Sequence, residues 1–179
     1  MKIMFAAPYI YDARYKEFSK TSSGFGYMVR DIMKEVSREN EVFLLTHQIS
    51  GGYYDGYTAV RHRITDILKN IRIRDLCEGL IHMLFTQAPC STRLRYLYYF
   101  LNKGYMIYCL REISPDLIHI HGLTYQTKPF IEACEEMKTN YVVTLHGLNG
   151  LNHSVRLPDA EKKYEFKELE RLLDDNRVV

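Results

Sequence analysis

Two histidines, each followed by glycine at the end of an apolar run, are the residues of this chain best placed to do chemistry. His121 and Gly122 close the run that begins at Ser114-Pro115, and His146 and Gly147 close the run that begins at Tyr141. A neutral imidazole can hydrogen-bond a hydroxyl or carbonyl, and it exchanges protons near pH 7. In an open parallel sheet, ligands bind outside the carboxyl ends of the strands. Two histidines at the ends of consecutive strands are therefore expected to face one cleft. His119 lies within the first run and reads as a packed, hydrogen-bonded residue, its ring expected on the opposite side of the strand from His121. The chain has no G-x-S-x-G elbow and no carboxylate pair at two strand ends, so hydrolase chemistry is not supported.

A second candidate is the run Ser22-Ser23-Gly24-Phe25-Gly26, which leads into a helical pattern. Free N–H groups at a helix N-terminus bind anions, phosphate above all. The amides around Ser23, Gly24 and Gly26 are one such place; the alternative is that both glycines only permit a tight turn into the helix. A nicotinamide-binding fingerprint requires three glycines directly after the first strand and an acid ending the second. Here the glycines come late, Val29 stands at the third position, and the second strand ends in Thr46-His47.

The elements that must hold these residues follow from periodicity. Residues 2–7 and 41–46 are apolar runs without alternation, expected for strands covered on both faces. Between them Phe25, Met28, Val29, Ile32, Met33 and Val36 recur at helical spacing to about Glu39. Gly51–Gly56 reads as a turn and 57–61 as a short strand. Ile64, Ile67, Leu68 and Ile71, then Leu76, Leu80 and Ile81, predict one long or two broken helices. A further helix spans 91–112, stopped by Ser114-Pro115. Strands at 117–120 and 141–145, helices at 126–137 and 159–174, and a strand beginning at 176–179 complete the order. The expected fold is α/β and Rossmann-like, a mostly parallel sheet with helices on both faces and an extra helical segment at about 62–112.

Composition narrows the classes. A chain of 179 residues fits one domain, and a net charge of +2 is too small to argue for nucleic acid. The four cysteines (Cys77, Cys90, Cys109, Cys134) lie far apart, which predicts reduced, buried thiols and no metal site. No run approaches the roughly 18 apolar residues of a membrane span, and the N-terminus lacks a signal-peptide core, so a cytoplasmic protein is expected. Residues 61–111 are different: nine Lys or Arg stand against three Asp or Glu, interleaved with tyrosines. Such a segment can rest on an anionic membrane surface, here the inner face, or form an ordinary helical layer with solvated arginines.

In order and spacing, the first strand, the glycine loop, Pro115-Asp-Leu-Ile-His-Ile-His-Gly122 and Val142-Val-Thr-Leu-His-Gly147 resemble the N-terminal half of family 4 retaining glycosyltransferases of the GT-B type. The resemblance covers nearly the whole chain and is weakest over residues 50–112. It implies the acceptor-side half of an enzyme that moves a sugar from a nucleotide-sugar donor to a glycan or lipid-linked acceptor with retention. On this reading Ser23, Gly24 and Gly26 approach the donor phosphates, and His121 and His146 are catalytic. No metal or resident cofactor is implied. The Lys/Arg pair and Glu-x7-Glu motif of the family's donor half have no place here, so the chain reads as a single acceptor-side domain without that half. The rival expectation is a non-catalytic Rossmann-like binding module that uses its tyrosine-rich helices as a contact surface.

Overall fold

The computed structural model describes residues 1–18, 23–48, 51–86, 89–151 and 157–175. It is an α/β fold with a six-stranded, mostly parallel sheet and helices on both faces, Rossmann-like as expected. The strands are β1 (Lys2–Ala7), β2 (Glu41–Thr46), β3 (Gly52–Tyr54), β4 (Tyr57–Ala59), β5 (Leu117–His121) and β6 (Tyr141–Thr144). Their spatial order is β3-β4-β2-β1-β5-β6, with only the β3–β4 pair antiparallel. From β1 the chain builds outward in one direction to β2 and β4, then returns to place β5 and β6 on the other side. The reversal leaves a crevice at the carboxyl ends of β1 and β5, where such sheets take ligands.

Central strand β1 explains its own composition. Met4 and Ala6 point to one face and Phe5 and Ala7 to the other, and all four are buried. On the Phe5 face packs α1 (Gly24–Val36), through Val29 and Met33, one helical turn apart. Ser23 caps α1, its Oγ accepting the Gly26 N–H at 3.1 Å. On the Met4 face lie α4 (Cys90–Ile113), α5 (Lys128–Met137) and α6 (Asp159–Asp174). Ser114 ends α4 in a left-handed conformation (φ 50°), and Pro115 prevents the helix from continuing.

The middle segment forms two short helices, α2 (Ile64–Lys69) and α3 (Ile73–Phe85), laid against α4. Gly104 is required there, because a Cβ at this position would fall on the carbonyl oxygen of Asn70, between the two helices. Of the apolar residues that set the helical pattern, only Ile67 is buried in the core; Ile64, Leu68, Leu80 and Ile81 are exposed. Most α4 tyrosines behave in the opposite way: Tyr96, Tyr99 and Tyr105 are buried and offer little contact surface, whereas Tyr108 is exposed.

Three expectations are corrected. Residues 51–56 are more than a turn: Gly52–Tyr54 is strand β3, joined to β4 by a two-residue turn with positive φ at Asp55 (42°) and Gly56 (95°). Asp-Gly is the sequence such a hairpin favours. Asp55 also accepts ion pairs from Arg14 and Lys34, each at 2.6 Å, which tie the hairpin to the loop after β1 and to α1. Second, only Cys109 and Cys134 are buried; Cys77 and Cys90 are exposed, on α3 and at the start of α4. Third, His119 and His121 are not on opposite sides: residues two apart on a strand share a face, and their rings lie 4.1 Å apart. The strand expected at 176–179 falls outside the described residues.

Candidate functional site

The switch-point crevice is a cavity of about 420 Å³. Its floor and sides come from the segments that leave the strand ends: Pro8 and Tyr9 after β1, Gly122 to Gln126 after β5, and His146 and Gly147 after β6. Phe25, in the first turn of α1, closes one side, packing edge-on to the His146 ring at 4.8 Å and against Tyr9 at 5.0 Å. Helices α4 and α6 close the other side with Arg95, Tyr99 and Glu161. Gly122 and Gly147 both have positive φ (83° and 103°), the reason glycine follows each histidine.

The two expected histidines meet. His121 Nδ1 and His146 Nε2 are 2.9 Å apart, with the rings nearly parallel. Their settings differ. His121 has no exposed surface, stacks on Phe5, and its Nε2 is buried with no partner among the described residues. His146 is only part-buried, and both imidazoles line the cavity. Burial, reinforced by the neighbouring His119 and His146, pushes the His121 pKa far below its ordinary value, so it stays neutral. Burial also lowers His146, and it lowers His119, which shares a hydrogen bond of 2.5 Å with Thr144 Oγ1.

These contacts favour one tautomer. A buried orphan donor is costlier to tolerate than an under-used acceptor. The proton of His121 therefore belongs on Nδ1, donated to His146 Nε2, leaving a bare lone pair on the sealed His121 Nε2. His146, neutral, then carries its own proton on Nδ1. The pair amounts to one oriented hydrogen-bond donor, His146, held by a buried imidazole behind it.

The α1 terminus is close, but its parts divide. Ser23 is occupied: its hydroxyl caps Gly26 and lies 3.3 Å from the Tyr9 hydroxyl. Gly26 is buried, and its missing Cβ makes room for the backbone of Tyr11, which an added Cβ would approach to 2.7 Å. Gly24 is exposed, with open space where a Cβ would be. Neither glycine lines the cavity; Phe25 does. The N–H groups of Gly24 and Phe25 precede the intrahelical ladder, so the helix itself supplies them no acceptor.

Sequence reasoning missed the aromatic and charged walls. Tyr9 was recoverable, since it stands two residues past the end of β1. Arg95, Tyr99 and Glu161 were not: only the packing of α4 and α6 beside the strand ends brings them there. Glu161 is committed to a neighbour, accepting the Tyr96 hydroxyl at 2.5 Å. Arg95 is exposed and makes no ion pair among the described residues. No cluster of three metal-ligating side chains occurs among the described residues.

No protein-family model matches the chain, and no curated protein matches it in sequence.

Proposed function

We propose that this chain is the acceptor-side domain of a retaining, nucleotide-sugar-dependent glycosyltransferase. The observation that carries the reading is the His121–His146 pair at the rim of a switch-point cavity, with the first turn of α1 beside it. His146 Nδ1–H donates to a sugar hydroxyl or to the developing charge on a transferring oxygen, and His121 positions it. The Gly24 and Phe25 amides face the donor phosphates, where helix-terminal N–H groups stabilise negative charge. Tyr9, Phe25, Tyr99 and Tyr125 supply flat apolar walls of the kind sugar rings stack upon. The cations that would complete diphosphate stabilisation belong to a donor half, so turnover requires that half. The acceptor is a glycan or lipid-linked saccharide.

The test is a titration of the chain with nucleotide sugars and with short glycans, followed by NMR. The reading expects millimolar binding that perturbs the His146 imidazole signals and the Gly24 and Phe25 amides together. Substituting His146→Ala should abolish the perturbation at Phe25 by a glycan while leaving the fold intact. If no sugar or sugar nucleotide moves these signals at tens of millimolar, the assignment fails.

A further inference from the structure

Helix α3 is built inside out. Asp75 is fully buried and His82 turns inward, sharing a 2.8 Å hydrogen bond with the Tyr125 hydroxyl. Ile73, Leu80, Ile81, Leu84 and Phe85 are exposed instead, Ile73 and Phe85 by 81% each. With exposed Cys77, they fall at i, i+4, i+7, i+8, i+11 and i+12, the spacing of a single helix face. The charged residues bordering that face, Arg74 and Glu78, are spent on each other at 2.9 Å. Ile64 and Leu68 of α2 and Leu94 of α4, the helix against which α2 and α3 both pack, are also more than half exposed.

The charge that segment 61–111 leaves outside ion pairs, among the described residues, has one sign. The three acidic residues of segment 61–111 are each held by an arginine: Asp66 by Arg61 at 3.0 Å, Asp75 by Arg72 at 2.6 Å, and Glu78 by Arg74. Arg63, Lys69 and Arg95 are exposed and form no ion pair among the described residues. Exposed apolar side chains, with exposed cations beside Ile64, Leu68 and Leu94 in the chain, match the chemistry of an interfacial helix, which sinks its apolar side into the lipid boundary while cations meet anionic headgroups. No helix among the described residues is long and apolar enough to cross a membrane, which leaves the in-plane orientation.

We propose that α3, with α2 and the first turn of α4, docks flat on an anionic lipid surface. The inference stands apart from the sugar-transfer reading, since it uses none of the crevice residues except Arg95 on the shared border. Its test is co-sedimentation of the whole chain with phosphatidylcholine vesicles, with and without phosphatidylglycerol, at low ionic strength. The chain should pellet with the anionic vesicles and stay in solution with the neutral ones. Leu84→Asp with Phe85→Asp should reduce binding tenfold or more. Arg63→Glu with Lys69→Glu should cost about fivefold for each cation lost. Both pairs replace exposed side chains, so unchanged circular-dichroism melts certify the fold. Absence of wild-type binding to anionic vesicles overturns the proposal, as does binding that ignores the Leu84/Phe85 pair. So does sedimentation-velocity dimerisation that this pair abolishes without any vesicle binding, which would assign the face to a second copy of the chain.

Discussion

The crevice and the outward face of α3 are opposites in how they use polarity. At the crevice, imidazoles that water would readily solvate are buried: His121 has no exposed surface and rests on Phe5. On α3, side chains that water rejects are presented to it, while Asp75 and His82 are turned inward. A fold shaped by stability alone would tend to reverse both choices, since buried polar groups and exposed apolar ridges each cost free energy. The difference teaches that the first region is organised around contacts within the chain, whereas the second leaves large apolar side chains in solvent. Substitutions should then be expensive in stability at the crevice and nearly free on the outward face of α3.

The largest expected effect is at His121. His121→Ala removes a fully buried ring and strands its neighbours, and should cost about 3 kcal/mol in urea unfolding. A loss below about 1 kcal/mol would put the ring in a looser setting than the crevice requires. Next comes pH. Above pH 6.5 both folded and unfolded chains hold His121 neutral. Below it the unfolded chain takes a proton that the folded chain refuses, so stability falls as pH falls. His47, whose pKa is lowered to about 4 chiefly by burial, adds to the same trend down to that pH. Each contributes at most about 1.4 kcal/mol per pH unit. Urea midpoints between pH 7 and 4.5 should drop steeply, and the His121→Gln variant should show a shallower slope than the wild-type chain.

Gly26→Ala sharpens the comparison from the helix terminus. Its Cβ would press on the Tyr11 backbone, and a cost of about 2 kcal/mol is expected in thermal or urea unfolding. A neutral result would mean that the loop after β1 yields easily. The smallest effect is on α3: Phe85→Ser should change unfolding free energy by less than about 0.5 kcal/mol, because the ring is already in solvent. A large loss there would erase the contrast between the two regions.

Much of this was legible in the chain. The strand ends at His121 and His146, the helix N-terminus at Ser23 and the mostly parallel order all follow from local runs and punctuation, which act over a few residues. Three features were not. The β3 strand is three residues long and half exposed, so only the Asp55-Gly56 pair hinted at it. The outward face of α3 was not legible because apolar periodicity tells which residues share a side, not whether that side meets the core. Arg95, Tyr99 and Glu161 reach the cavity through helix packing, which depends on contacts between segments far apart in sequence.

Phe5 lies beneath both His119 and His121, at ring separations of 5.1 and 5.5 Å, and it belongs to the innermost strand of the sheet. Sliding β1 by a single residue would swap Phe5 for a neighbour that belongs to the opposite layer, and the imidazole row would lose its platform. The alignment of the sheet and the seating of the histidines are thus one constraint, so this strand cannot drift without unseating them.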